Sequence, residues 1–151
     1  MSIWGPGPSE NDDAADWLAD LASEPSIVAL NEALDDALRA DEGDFLEVTE
    51  GAIAVAAAAL IVSLLGSEAS TDLVDEDGVD QLRVQVQALA PGAVSSLAWR
   101  AIRALHMVAS ADRSELAQLL DDEPEWAETW HRHLQSLIEG LDALRGHLPP
   151  A

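Results

Sequence analysis

The stretch A-I-A-V-A-A-A-A-L-I-V-S-L-L, residues 52–65, constrains the fold more than any other part of the chain. Its 14 residues would be apolar on every side of a helix, with Ser63 the one polar side chain, and such a helix must have neighbours all round it. A bilayer crossing needs about 20 apolar residues, so the run is read as the buried centre of a globular domain, and no membrane association is expected. A chain of 151 residues, 48% of them hydrophobic, fits one domain over 1–151. A domain of that size buries roughly 70% of the surface its unfolded chain exposes.

Apolar residues recur at helical spacing along almost all of the rest, and no stretch alternates like a strand between hairpin turns, so the expected fold is all-α, with about six or seven helices around the Ala-rich one. The first helix is expected to start near Ser9 or Asn11, either of which can cap it, with Asp12, Asp13 and Asp16 close to the positive end of its dipole. A second follows S-E-P-S at 23–26. Asp44 and Glu47 have the spacing of a capping box, which predicts that the central helix opens there, runs to Leu65 and stops at Gly66. Residues 67–78 read as an acidic surface loop. A weaker helix is expected near 79–89, and another from about Ala93 to Ala109. Asp112 and Glu115 predict a short helix to about Leu120, and D-D-E-P at 121–124 opens the last one, with Trp126, Trp130, Leu134, Leu137, Ile138, Leu141 and Leu144 on its apolar stripe.

The chain carries 29 Asp and Glu against seven Arg and no Lys, a formal net charge of -22. A field of that sign repels phosphate backbones and anionic lipids, which excludes nucleic acid as an expected partner. A high-salt or GC-rich host explains the acidity as well as a basic protein partner does. The charge is unevenly spread: residues 1–66 hold 14 acids and one Arg, whereas residues 81–111 hold no acid and three Arg. That segment reads first as a helix docking against acidic neighbours inside the fold, and second as a local anion site. There is no Cys, which removes disulfides, thiolate metal sites and Cys nucleophiles together. The first residues show no basic segment leading into an apolar one, and with the missing Cys this makes a reducing cytoplasm the expected location.

Candidate chemistry is sparse. The acidic loop ends Asp-Glu-Asp-Gly, but a calcium-loop register on Gly78 places Leu73 at the first ligand position and Val84 at the twelfth, and neither coordinates. His131 and His133 lie about 200° apart around a helix and cannot share a metal from one face. Glu128 and His131 do share a face, at the spacing of carboxylate-bridged di-iron bundles, but those need the motif twice. A divalent metal at Glu128 and His131, joined by Asp12 and Asp16 if the first and last helices meet, gives a metal-binding protein or metal-dependent enzyme as the alternative reading. No cofactor is otherwise expected. Trp99, Arg103 and His106 fall near one helix face, opposite the buried stripe, and suit either a second packing interface or a partner surface. No nucleophile elbow, phosphate-binding Gly loop or zinc motif is present.

The opening W-G-x-G-P-x-x-N-D-x-A-x-D-W, carried by Trp4, Gly5, Gly7, Pro8, Asn11, Asp12, Ala14, Asp16 and Trp17, resembles the signature of a bacterial domain-of-unknown-function family, numbered 4259. V-S-L-L-G ending at Gly66, S-E-L-A-Q-L-L-D-D from Ser114, and the Trp126–Trp130 region are similar to that family too. Ser9 stands where an aromatic is expected, and Ala59 where many relatives carry Glu. The resemblance implies a small helical domain and supplies no reaction. Trp4, Gly5, Gly7 and Trp17 are read as structural, anchoring and bending the entry to the first helix. The candidate binding residues are Asn11, Asp12, Asp16, Trp99, Arg103 and His106. The expected function is a non-enzymatic acidic binding module of the bacterial cytoplasm, immunity-like, facing a basic protein. A homodimer that buries exposed Trp faces is the third reading.

Overall fold

The structure, a computed structural model, describes residues 11–39, 43, 45–66 and 74–145. Trp4, Gly5 and Gly7 of the opening motif lie outside them, as do 67–73 of the acidic stretch. The described residues form seven helices and no strand: α1 (Asp12–Ser23), α2 (Ile27–Leu38), α3 (Val48–Leu65), α4 (Glu76–Gln87), α5 (Pro91–Ala109), α6 (Glu115–Asp121) and α7 (Pro124–Arg145).

α3 is the Ala-rich helix, and each of the other six packs against it. Its burial follows from composition: Ala52, Ala54, Ala56, Ala57 and Ala58 are essentially inaccessible, so neighbouring helices come close on several sides without a large side chain to hold them off. Leu60, Ile61 and Leu64 fill the layers between them. Gly51 extends this closeness to α6, since a Cβ there would lie 3.4 Å from Leu116 Cβ. By length and apolarity alone α3 matches a membrane span, but 67% of it is buried inside the fold. Ala59 is buried as well.

The helix starts are set by side chains, with some expected boundaries displaced. Asn11 caps α1: its Oδ1 accepts from the Ala14 amide at 2.8 Å while the residue itself is buried. Replacing Asn11 by Ala should therefore cost about 1 kcal/mol in urea unfolding, with Asp restoring most of it. Ser26 caps α2, accepting from Val28 at 3.2 Å, and Pro25 immediately precedes the cap. Gln85 of α4 clamps this junction, accepting from the Ile27 amide at 2.7 Å and donating to the Pro25 carbonyl at 2.9 Å.

Glu47, not Asp44, is the cap residue of α3, with the Glu50 carboxylate accepting from the Glu47 amide at 3.3 Å; the capping-box spacing recurs three residues later, where the helix begins. Gly66 ends it in extended backbone, φ -77°, so the stop does not use a left-handed glycine. Gly43 does, at φ 98°, in the turn between α2 and α3. α4 opens earlier than expected because Asp75 accepts from the Gly78 amide at 2.9 Å. Glu76, Asp77 and Gly78 are thus its first turn, not the end of a loop. Pro91 likewise starts α5 two residues early, since proline fits a first turn whose amides have no partner.

Ser114, not Asp112, caps α6, accepting from Ala117 at 3.2 Å. It is fully buried because the chain on either side is tied to the entry of α3: Leu46 N donates to the Arg113 carbonyl at 2.7 Å, and Glu115 N to the Leu46 carbonyl at 2.9 Å. The Glu115 carboxylate then reaches across to accept from Val48 N at 3.0 Å. One acidic side chain from α6 thereby satisfies a first-turn amide of the central helix, 67 residues away in sequence.

The arginines of the acid-free segment dock helices. Arg100 on α5 donates to Asn31 Oδ1 at 2.7 Å and the Asn31 carbonyl at 3.3 Å and pairs with Asp35, which binds α5 to α2. Arg83 of α4 reaches the Ser63 carbonyl of α3 at 3.5 Å.

Candidate functional site

The residues singled out in the sequence are dispersed. Asn11 spends its side-chain oxygen on the cap. Asp12 and Asp16 are exposed on α1, and Trp17 packs on the core from the same helix. α1 lies against α3 and α4, whereas α7 lies against α5, α3 and α6, so the carboxylates of the first helix and the His of the last are not brought together. On α7, Glu128 is bonded to Arg132 at 2.9 Å, and His131 Nε2 lies 2.7 Å from Asp121 Oδ1 of α6, with its ring edge-on to Trp130 at 4.8 Å. Among the described residues no group of three His, Asp or Glu stands close enough to hold a metal ion.

Trp99 is 45% exposed on α5, but one face of its ring is covered: the Arg145 guanidinium sits 4.6 Å from its centroid and also pairs with Asp142 at 3.1 Å. The contact fastens the end of α7 to α5 by a cation–π interaction. Arg103 is half-buried and His106 is exposed in the last turn of α5, where a cationic side chain suits the dipole.

A cleft that sequence reasoning did not single out lies between the end of α2 and the start of α3. It has a volume of about 360 Å³, opens to solvent, and is lined by Asp36, Arg39, Phe45, Leu46, Glu47 and Glu50. α2 supplies Asp36 from its final turn, and Arg39 is its C-cap. The Leu46 bridge to the 113–115 segment pins Phe45 and Glu47 on either side of it, and Glu50 comes from the first turn of α3. Arg39 pairs with Glu50 and, at 3.6 Å, with Asp36. Phe45 is 48% exposed. The available signal was the single Phe of the chain, standing outside any helical stripe directly after D-E-G-D.

All seven arginines lie within the described residues, and each has a partner within the chain. Arg39, Arg100, Arg132 and Arg145 pair with carboxylates, Arg113 donates to Met107 Sδ at 3.3 Å, and Arg83 and Arg103 have partners as well. Seven cations cannot offset 29 acids, and many of the acids, including Asp12, Asp16, Glu76, Asp80, Asp112 and Asp122, are exposed.

These features define an acidic, all-helical domain built on a central Ala-rich helix, with an aromatic-bearing cleft at one end of that helix. The chain belongs to the family described as domain of unknown function (DUF4259), whose model matches residues 2–133. Neither the curated proteins nor the solved structures contain a match to it.

Proposed function

We propose that this chain is a non-enzymatic acidic binding module of the bacterial cytoplasm that engages a basic protein, in the manner of an immunity or antitoxin-like protein. The observation that carries this reading is the imbalance between the two kinds of charge. Every arginine has a partner within the chain, while many of the described carboxylates face solvent, so an approaching partner meets a predominantly negative field. Such a field raises the encounter rate with a basic surface and disfavours acidic competitors. The dispersal of the metal candidates among the described residues also favours recognition over metal chemistry.

The test is capture by the immobilised chain from host extract. At low ionic strength, where screening extends over about 30 Å, a protein of positive net charge is expected to be retained, and salt near 0.5 M should release it. Recovery of no protein at low salt, or only of acidic proteins indifferent to salt, would overturn the proposal.

A further inference from the structure

We infer that the cleft at the α2–α3 junction receives an arginine side chain of the basic partner, with Phe45 and the carboxylates around it as the recognition surface. The inference rests on the reading of the chain as an acidic binding module and adds to it a place and a side-chain chemistry. A guanidinium is planar and weakly hydrated; it stacks on an aromatic face while its N–H groups fork onto carboxylate oxygens. The cleft offers both halves of that chemistry. Phe45 is a large apolar side chain left about half in solvent, and Asp36, Glu47 and Glu50 line the same space of about 360 Å³.

The chain's own Arg39 shows that these carboxylates accept a guanidinium, since it pairs with both Asp36 and Glu50. Three acids against one arginine leave the cleft with negative charge for a second cation. Among the described residues the exposed large aromatics are Phe45 and Trp99, and Trp99 already stacks under Arg145, which leaves Phe45 as the one of the two that is open to an incoming cation. Arg39 therefore acts as an internal competitor for the cleft.

The test is calorimetric titration of the full chain with a capped peptide bearing two arginines and with its lysine counterpart, at about 0.15 M salt to suppress long-range attraction. The arginine peptide is expected to bind more tightly than the lysine one. Phe45→Ala should weaken it by about fivefold or more, and Phe45→Leu, which keeps apolar bulk but removes the ring, by a similar factor. Asp36→Asn should weaken binding, whereas Arg39→Gln should strengthen it by vacating Glu50 and Asp36. Asp80→Asn on α4, a matched loss of one exposed charge that does not line the cleft, should change affinity less than about twofold, as expected for a screened charge outside the site. Unfolding midpoints of each variant check that the fold is retained.

Unchanged affinity in both Phe45 variants, equal effects of Asp36→Asn and Asp80→Asn, or no binding of the arginine peptide would overturn the assignment. Any of these would leave the broader proposal standing, because that is decided by capture of a basic protein and not by this cleft.

Discussion

Replacing Leu60 by Ala should destabilise the domain by about 3–4 kcal/mol, since truncating a fully buried Leu loses its transfer free energy and leaves a cavity. The site is a demanding one. Leu60 lies in the helix that all six others contact, so a void there borders several interfaces at once, and collapse around it would require more than one helix to move. In a domain of this size the loss corresponds to roughly 10 °C in Tm. Val62→Ala, on the partly buried side of the same helix, should cost about 1 kcal/mol. Equal losses at the two positions in urea titrations would mean that α3 is not the centre of the core.

Trp130→Ala should cost about 4 kcal/mol, because the indole is almost entirely enclosed and is the largest side chain in the core. It sits in the first half of α7, the helix that packs most broadly on α5 and also closes over α6. Its loss removes the edge-on ring contact to His131 as well, so the nearby His131–Asp121 pair between α7 and α6 should loosen. Hydrogen exchange should then rise first in α6. Trp126→Ala, at a partly buried position one turn earlier, should cost distinctly less. A small effect at Trp130 in thermal melts would contradict the packing described for α7.

Much of this architecture is legible in the sequence, because it follows from patterns with one physical reading. A 14-residue run with no polar face can only be surrounded, and α3 is surrounded. The stripe from Trp126 to Leu144 predicts α7, and Trp130, Leu134 and Leu141 are its buried members. Helix starts are less legible where capping spacings overlap. Asp44, Glu47 and Glu50 stand at successive intervals of three, and which of them caps depends on the bridge that holds Leu46 against residues 113–115. Nothing in the local sequence encodes that contact. The same bridge makes Ser114 the cap of α6 and frees Glu115 to serve α3, a role that spans 67 positions and no local motif could signal.

The candidate site was legible in kind more than in place. The charge imbalance is present in the composition, and the docking role of the acid-free segment appears in the bonds of Arg100 to α2. Trp99, Arg103 and His106 do share a side of α5, but Arg145 arrives over Trp99 from a helix 46 positions further on. The cleft of Phe45 depends on three separate pieces of chain meeting: the end of α2, the 45–50 stretch that enters α3, and the strap before α6 that positions it. A lone Phe among acids is its only local trace.

The most direct measurement of the central claim is the association rate of the chain with the basic protein it captures, followed as ionic strength rises. If the outward carboxylate field steers the encounter, the association rate constant should fall by about tenfold or more between roughly 0.02 and 0.5 M salt, with the dissociation rate constant changing far less. An association rate constant that stays level across that range would contradict it, because the net charge of -22 would then play no part in finding the partner.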